Sequence, residues 1–416
     1  MKVVVVGAGV IGLWCARALL REGAEVVVID RGDPAMATPA AAGWVVPALS
    51  APLAGPGVLR QTVYQILRRE TAFGFRPSMS PTMLRWMSGF VASAAEHRYR
   101  EGIRAILALA APAIPAYEEL HRASVPFEMH DGGLLLAART EAGMGQALGL
   151  LDDSAAAGYE GRYRVLDSAA ARDLEPALSR GVLGAVHAES EVWVRPEDLL
   201  TALTKSIVEL GGTIVDGAPV DAIIPALGGR WSVRSGHDLL SADSVVCAAG
   251  AWTGLLLRSL GLRVPLLPAA GYSITSTGSG ISPSHALKLV EPNIALAPFD
   301  DGVRIAGRFD LGRSARHVPR RRMRVVLRRT EPYLASWRSS VVSAAYAGLR
   351  PATPDSLPLI GPVPGSDGVF AATGHGMLGL TLAPGTADEI RRLVLHGSGS
   401  EVGAAFRLDR YLGGRH

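Results

Sequence analysis

Cysteine is nearly absent from this chain: 416 residues contain two, Cys15 and Cys247. Both stand in apolar segments far apart in sequence. That excludes a disulfide framework and a cysteine zinc site, and the pair reads as small buried hydrophobes in a reducing compartment. Long uncharged apolar runs are missing too, which excludes a transmembrane helix of the ~20 residues that a bilayer needs. The N-terminal apolar run begins at residue 3, is broken by Gly7, Gly9 and Gly12, and lacks a small-residue cleavage site after it. We therefore expect no signal peptide. A strong excess of one charge is also lacking. The formal net charge is +4, and no long single-sign block supports nucleic-acid binding. The densest basic stretch, RSARHVPRRRMRVVLRR at 313–329, reads as a solvated helix with its connection; a polyphosphate or anionic-lipid contact is the alternative. No repeat and no metal-ligand cluster stands out. The expectation is a soluble cytoplasmic protein, with peripheral contact at the inner membrane face left open.

What is present begins at the N-terminus. Apolar residues make up 48% of the chain, enough for a large core, and the length suits about two or three domains on a prior of ~100–200 residues each. KVVVVGAGVIGLWCARALLREGAEVVVIDRG opens the sequence after Met1. Four valines read as a buried parallel strand. Gly7, Gly9 and Gly12, with Val10 and Ile11 between them, match G-x-G-x-x-G. A helix pattern follows through Leu20, then a second strand, Glu25–Ile29, ending in Asp30. Gly7 allows the tight turn, Gly9 lets the backbone approach a pyrophosphate, and Gly12 lets helix and strand pack closely. The helix N-terminus faces the phosphates and Asp30 can accept from a ribose diol. A glycine motif alone is weak, but strand, helix, second strand and acid all fall in place, so we expect a dinucleotide.

FAD is favoured over NAD because the sheet looks completed from distant segments. VRPEDLLTALTKSIVELGGTIVDGAPVDAII reads as a helix over about 197–210 and a strand pair. ADSVVCAAGAWTGLLLRSL at 242–260 reads as strand, Gly250, helix. Residues 58–122 look mainly helical, with a cap at Ser80, Pro81 at the first helical position, and Trp86 and Phe90 as core. Hairpin signals recur after that, among them DDG at 300–302. The predicted architecture is α/β plus an antiparallel sheet. A Rossmann-like FAD-binding domain (1–48, 190–262 and 353–416) carries an inserted substrate domain with a mixed or antiparallel sheet and helices (49–189 and 263–352).

Two C-terminal stretches carry the chemistry. In YAGLRPATPDSLPLIGP at 346–362, period two puts Tyr346, Gly348 and Arg350 on one strand face. An inward arginine is costly unless it meets an anion, and that anion is either structural or a substrate carboxylate. In ATGHGMLGLTLAPG, glycines 374, 376 and 379 free backbone N–H groups to point at a ligand, and a helix N-terminus follows.

These segments together resemble the D-amino acid oxidase/glycine oxidase superfamily of FAD enzymes over nearly the full length. The nearest resemblance is to the bacterial D-amino acid dehydrogenase catalytic subunit. VVVVGAGVIG, VVVID, AAAGWVVPALSAPLAGPGV, PAAGYSITS, AGLRPATPDSLPLIG and ATGHGMLGLTLAPG carry it. The chain departs from relatives at Thr38, Ala41 and Ala270. It also lacks the cysteine and the lysine of the sarcosine-oxidase branch, since Met377 and Leu378 follow the glycine turn; this implies non-covalent FAD. The resemblance places Arg350 on the substrate carboxylate. Tyr272 and Tyr346 are candidate hydroxyl partners, with sheet packing as the alternative, and His375 is expected beside the flavin rather than as a base. Cofactor contacts are expected from Gly7, Gly9, Val10, Ile11, Gly12, Asp30, Arg31, Thr38, Ala42, Gly43, Trp44, Val45, Val220, Ala249, Gly250, Trp252, Gly374, His375, Gly376, Met377, Leu378 and Gly379. The implied reaction oxidises the amine of a D-amino acid, or of a D-proline-like imino acid, by hydride transfer from Cα to flavin N5. The product is an imine or 2-oxo acid, and electrons pass to a quinone or to O2. Alternatives are a glycine/sarcosine-type oxidase using O2, or a non-catalytic FAD-holding subunit of a larger complex.

Overall fold

The computed structural model describes residues 1–33, 35–55, 73–75, 80–123, 126–312 and 318–412. The valine run forms the strand Lys2–Val6, and Glu25–Ile29 lies parallel beside it with Val4 opposite Val27. Both strands are buried on both faces, so neither has a polar side to alternate with, and each reads as near-continuous valine. Their sheet has the spatial order Thr213–Val215, Glu25–Ile29, Lys2–Val6, Ser244–Cys247, Val369–Thr373, Leu359–Pro362, with only the last pair antiparallel. The sheet is thus completed from distant segments, as expected. Helices Val10–Arg21, Pro196–Glu209 and Gly379–His396 pack against it around Leu13, Leu19, Leu203, Leu382 and Ile390.

One expectation is corrected here. The two strands after Pro196–Glu209 do not pair with each other. Thr213–Val215 joins the parallel sheet, whereas Ala222–Pro225 pairs antiparallel with Trp231–Ser235 in a separate small sheet. Gly217, at φ +69°, and Pro219 break the run between them.

Among the described residues, a second sheet holds nine strands, and two long ones dominate it. Leu267–Ser279 pairs antiparallel with Arg338–Ala352 on one side and Gly302–Leu311 on the other. Phe299 pairs with Gly302, so the DDG segment closes a two-residue hairpin. Alternation sorts the faces. Tyr272, Ile274 and Ile305 pack on one face against Met323 and Val326 of the helix Arg320–Thr330. The other face carries the segment 36–41: Arg304 Nη1 donates to Pro39 O at 3.1 Å. The basic run is a helix from Arg320, with Arg320, Arg324 and Arg328 exposed and Arg322 on the buried Asp310; residues 313–317 lie outside the described residues. In the tract expected to be helical, residues 58–72 and 76–79 also lie outside them, and Phe73–Phe75 between these is not helix but a strand paired parallel with Phe309–Leu311, an edge position set by a partner far along the chain. Helix starts with Ser80 Oγ accepting from Met83 N at the head of Pro81–Ser93. No described helix is long and apolar enough to cross a membrane.

Candidate active site

The site starts where Lys2–Val6 ends. Gly7 turns at φ +115°, and a Cβ there would lie 2.5 Å from the Ala248 carbonyl oxygen. A Cβ on Gly12 would lie 1.8 Å from Gly7 O, so no side chain fits between the helix and the turn. Gly9, in contrast, borders open space, its nearest neighbour being Thr38 Oγ1 at 3.7 Å. It gives the helix no side-chain cap; Thr38 Oγ1 takes the Val10 amide at 3.2 Å. Asp30 accepts from Ala8 N at 2.7 Å and from Gly32 N at 2.8 Å. The acid therefore braces the glycine turn, and each carboxylate oxygen retains a lone pair for a hydroxyl. Arg31 lies over Trp252, its guanidinium carbon 4.9 Å from the ring.

One continuous cavity runs from this turn to the second sheet. All the predicted cofactor positions line it except Gly12, Val45 and Gly374. Gly12 is the packing glycine just described. Val45 is fully buried in the strand Trp44–Val45, and the Cβ position of Gly374 is filled by Thr353 Cγ2 at 2.8 Å.

At the C-terminal turn the glycines divide their work. The Gly376 amide is not left for a ligand: it donates to Pro351 O at 2.9 Å. The Cβ position of Gly376 itself is open, and the helix Gly379–His396 begins without a side-chain cap beside the cavity. His375 is 4% exposed and its Nε2 pairs with Thr386 Oγ1 at 2.9 Å. Burial pushes its pKa down to about 3, so the ring is neutral near pH 7 and poorly suited to act as a base.

The long strands bring Arg350 to the other end. Its guanidinium crosses over Gly271, where a Cβ would lie 2.4 Å from Cζ, and Nη1 donates to Arg308 O at 3.3 Å. Burial lowers its pKa to about 10, still charged near neutrality. Among the described residues no carboxylate pairs with it within ion-pair distance. The two tyrosines are not brought to the cavity. Tyr272, one residue out of phase with Gly271, is 2% exposed on the back face of the sheet. Tyr346 shares the Arg350 face but lies under Arg304, whose Cζ is 4.5 Å from its ring.

Arg304 is a residue the sequence reading missed. It is fully buried, pairs with Glu197 Oε1 at 2.7 Å, donates to Thr275 Oγ1 at 2.8 Å, and ties down Pro39 next to the cavity wall. It obeys the alternation used for Arg350, so the signal was available. The carboxylates lining the cavity are Asp30 and Asp33, both at its glycine-turn end. Neither cysteine lines it; burial raises the thiol pKa of both, that of Cys247 to about 12.

The cavity suits an extended dinucleotide carrying a ring system. An acid and a stacked arginine stand at one end, beside an open glycine turn. A second uncapped helix start follows, and a half-buried cation lies beyond. A profile of the DAO family, "FAD dependent oxidoreductase", matches residues 2–393. D-amino acid dehydrogenase 2 of Ralstonia nicotianae is 32% identical over 426 aligned positions, covering 99% of this chain and all of the relative. The D-amino acid dehydrogenase of Methylobacterium nodulans is 29% identical over 95% of each chain. The crystal structure of glycine oxidase from Geobacillus kaustophilus superposes with a TM-score of 0.76 at 21% identity, covering 100% of this chain and 99% of that one.

Proposed function

The chain belongs to the DAO family of FAD-dependent oxidoreductases, and from that premise we propose that it oxidises the amine of a D-amino acid or D-proline-like imino acid, with Arg350 holding the substrate carboxylate. One observation carries the role of Arg350. Its half-buried guanidinium lines the cavity, and the partner it finds inside the chain is a carbonyl oxygen rather than an acid. A bidentate contact there contributes ~1.5–3 kcal/mol and fixes the substrate's orientation.

We assign FAD to the cavity non-covalently, over segments 1–48, 190–262 and 353–416. Segments 49–189 and 263–352 supply the substrate side. Bound FAD provides a two-electron acceptor for the Cα–H bond of the amine. Everything else is positioning. Arg350 would anchor the carboxylate, the open Gly376 turn and the helix start at Gly379 would flank the bound cofactor, and Arg304 fixes the 39–41 segment. The substrate must bind with its amine already neutral, because neither His375 nor Tyr272 is placed to take a proton. The imine product hydrolyses to a 2-oxo acid, or stays cyclic when the substrate is a proline. The dehydrogenase names of the two curated relatives favour a quinone or dye acceptor over O2; faster turnover with O2 than with a dye would reverse that assignment.

The test is Arg350→Ala beside Arg350→Lys, read by melting temperature, bound flavin and anaerobic flavin reduction with a D-amino acid panel. Both variants should stay folded and yellow, and reduction should slow by at least roughly tenfold even in the lysine variant, whose point charge cannot replace the planar fork. Early melting or flavin loss would assign Arg350 to structure. Wild-type reduction rates would remove it from the substrate site.

A further inference from the structure

The sheet end of the cavity holds a second cation. Lys288 stands in the strand Ala286–Leu289 and lines the cavity with Asn293, whose Oδ1 accepts from its Nζ. On one side it is walled by the buried Leu136, and on the other its neighbours are small. Lys288 pairs with Ala295, and Ala295 pairs with Ala306, so the space above the sheet beside the ammonium is open. Three cationic side chains line this end: Lys288, Arg308 and Arg350. Arg308 is matched by Asp310 at 3.2 Å. Lys288 and Arg350 have no ion-pair partner among the described residues. The cavity's own carboxylates do not reach them. Asp30 is held by Ala8 and Gly32, and Asp33 accepts from Ala35 N at 2.8 Å beside Arg31.

A part-buried ammonium facing one neutral oxygen is an expensive arrangement, because burial disfavours its charged form. Its pKa is accordingly pushed down to about 8. An anion in the cavity would repay that cost. Two cations without acids, on strands separated by two spacings of ~4.8 Å each once Arg350 has reached the Arg308 carbonyl, can hold the two ends of one small molecule. We infer that the substrate is an amine bearing two carboxylates, one on Arg350 and the second on Lys288. This names a substrate class for the amine oxidation proposed above and rests on that reading.

The experiment uses the FAD-loaded protein and two probes of equal length, succinate and butyrate, titrated by perturbation of the flavin spectrum. A charge-assisted contact on Lys288 should make succinate bind at least roughly tenfold tighter. The preference should vanish in Lys288→Met and Lys288→Gln and persist in Lys288→Arg. Flavin reduction by D-glutamate against D-glutamine should show the same bias in kcat/KM. Equal affinity for the two probes, or a succinate preference that survives Lys288→Met, overturns the inference. So does loss of FAD from a folded Lys288→Gln protein, which would give Lys288 to the cofactor. If one variant fails to fold, the other and the wild-type probe comparison still decide. A Lys288-dependent succinate preference in a protein that no amine reduces would uphold this binding assignment and sink the amine-oxidation reading instead.

Discussion

Gly271→Ala isolates the arginine from the fold around it. Gly271 pairs with Gly348 on one neighbouring strand and Phe309 on the other, and its φ lies outside the left-handed region. Alanine is therefore conformationally acceptable there, and such exchanges stabilise by ~0.4–1 kcal/mol where they fit. The new methyl would lie 2.4 Å from Arg350 Cζ and 2.7 Å from Nε and Nη1. Ordinary carbon contacts begin near ~3.5 Å, so the guanidinium must withdraw by roughly 1 Å. Because it is the free end of a flexible side chain beside a cavity, it can move, and we expect melting temperature and bound flavin to stay near wild type. Placement should suffer instead. A displacement of ~1 Å at a positioning group costs up to ~10²-fold, so kcat/KM for a D-amino acid should fall by one to two orders of magnitude. In the background of Arg350→Ala the same exchange should do almost nothing further, since the two effects share one partner. The control is Gly348→Ala, whose Cβ would meet backbone, Met36 O at 2.4 Å and Ala37 Cα at 2.9 Å; that protein should lose stability or flavin. A folded, yellow Gly271→Ala enzyme with wild-type kcat/KM would refute the anchoring role. Additive losses in the double variant would do the same.

Two further expectations concern other parts of the molecule. Asp30→Ala should weaken FAD binding and loosen the glycine turn, because it removes the acceptor of the Ala8 and Gly32 amides, while leaving the amino acid preference of the loaded fraction unchanged; FAD titration of the apoprotein checks it, and unchanged affinity would contradict it. Glu191 is 1% exposed, and its pKa is raised to about 7 by burial, against the pull of the Tyr159 hydroxyl at 2.5 Å and the Ala48 amide. A carboxyl whose pKa rises on folding contributes stability that is complete below its unfolded value near 4.5 and is lost as pH climbs through about 7. The slope is at most ~1.4 kcal/mol per pH unit. Melting temperatures from pH 5 to pH 8 should therefore fall more steeply for wild type than for Glu191→Gln, and parallel curves would reject the assignment.

How far the sequence could be read follows from the range of the interactions involved. The glycine turn, the two valine strands, the Ser80 cap and the DDG hairpin are decided within a few residues, and all are found where expected. Partnerships between segments tens of residues apart or more were not legible. Nothing local says that Thr213–Val215 joins Glu25–Ile29 while Ala222–Pro225 turns away. Nor does it say that the Gly376 amide is taken by Pro351 O, or that Glu191 closes on Tyr159. Tyr272 is a nearer miss. Strand alternation puts it out of phase with Gly271, and the phase relative to Arg350 could only be set by the register of two strands ~80 residues apart.

The arginines show why a sound local argument was still incomplete. An inward arginine on a strand demands an anion, and that reasoning applied equally to Arg304 in GVRIAGRF and to Arg350 in AGLRP. Arg304 meets its demand inside the chain, with Glu197 at 2.7 Å and no exposure at all, and so becomes a strut. Arg350 has only a carbonyl oxygen at 3.3 Å and the cavity before it. Composition and periodicity cannot separate the two, because the deciding acid lies 107 residues from Arg304 in the chain. What separates a structural cation from a ligand-binding one is the charge left over once internal partners are assigned. By that criterion Lys288, which no sequence pattern singled out, joins Arg350, and Arg304 and Arg308 do not.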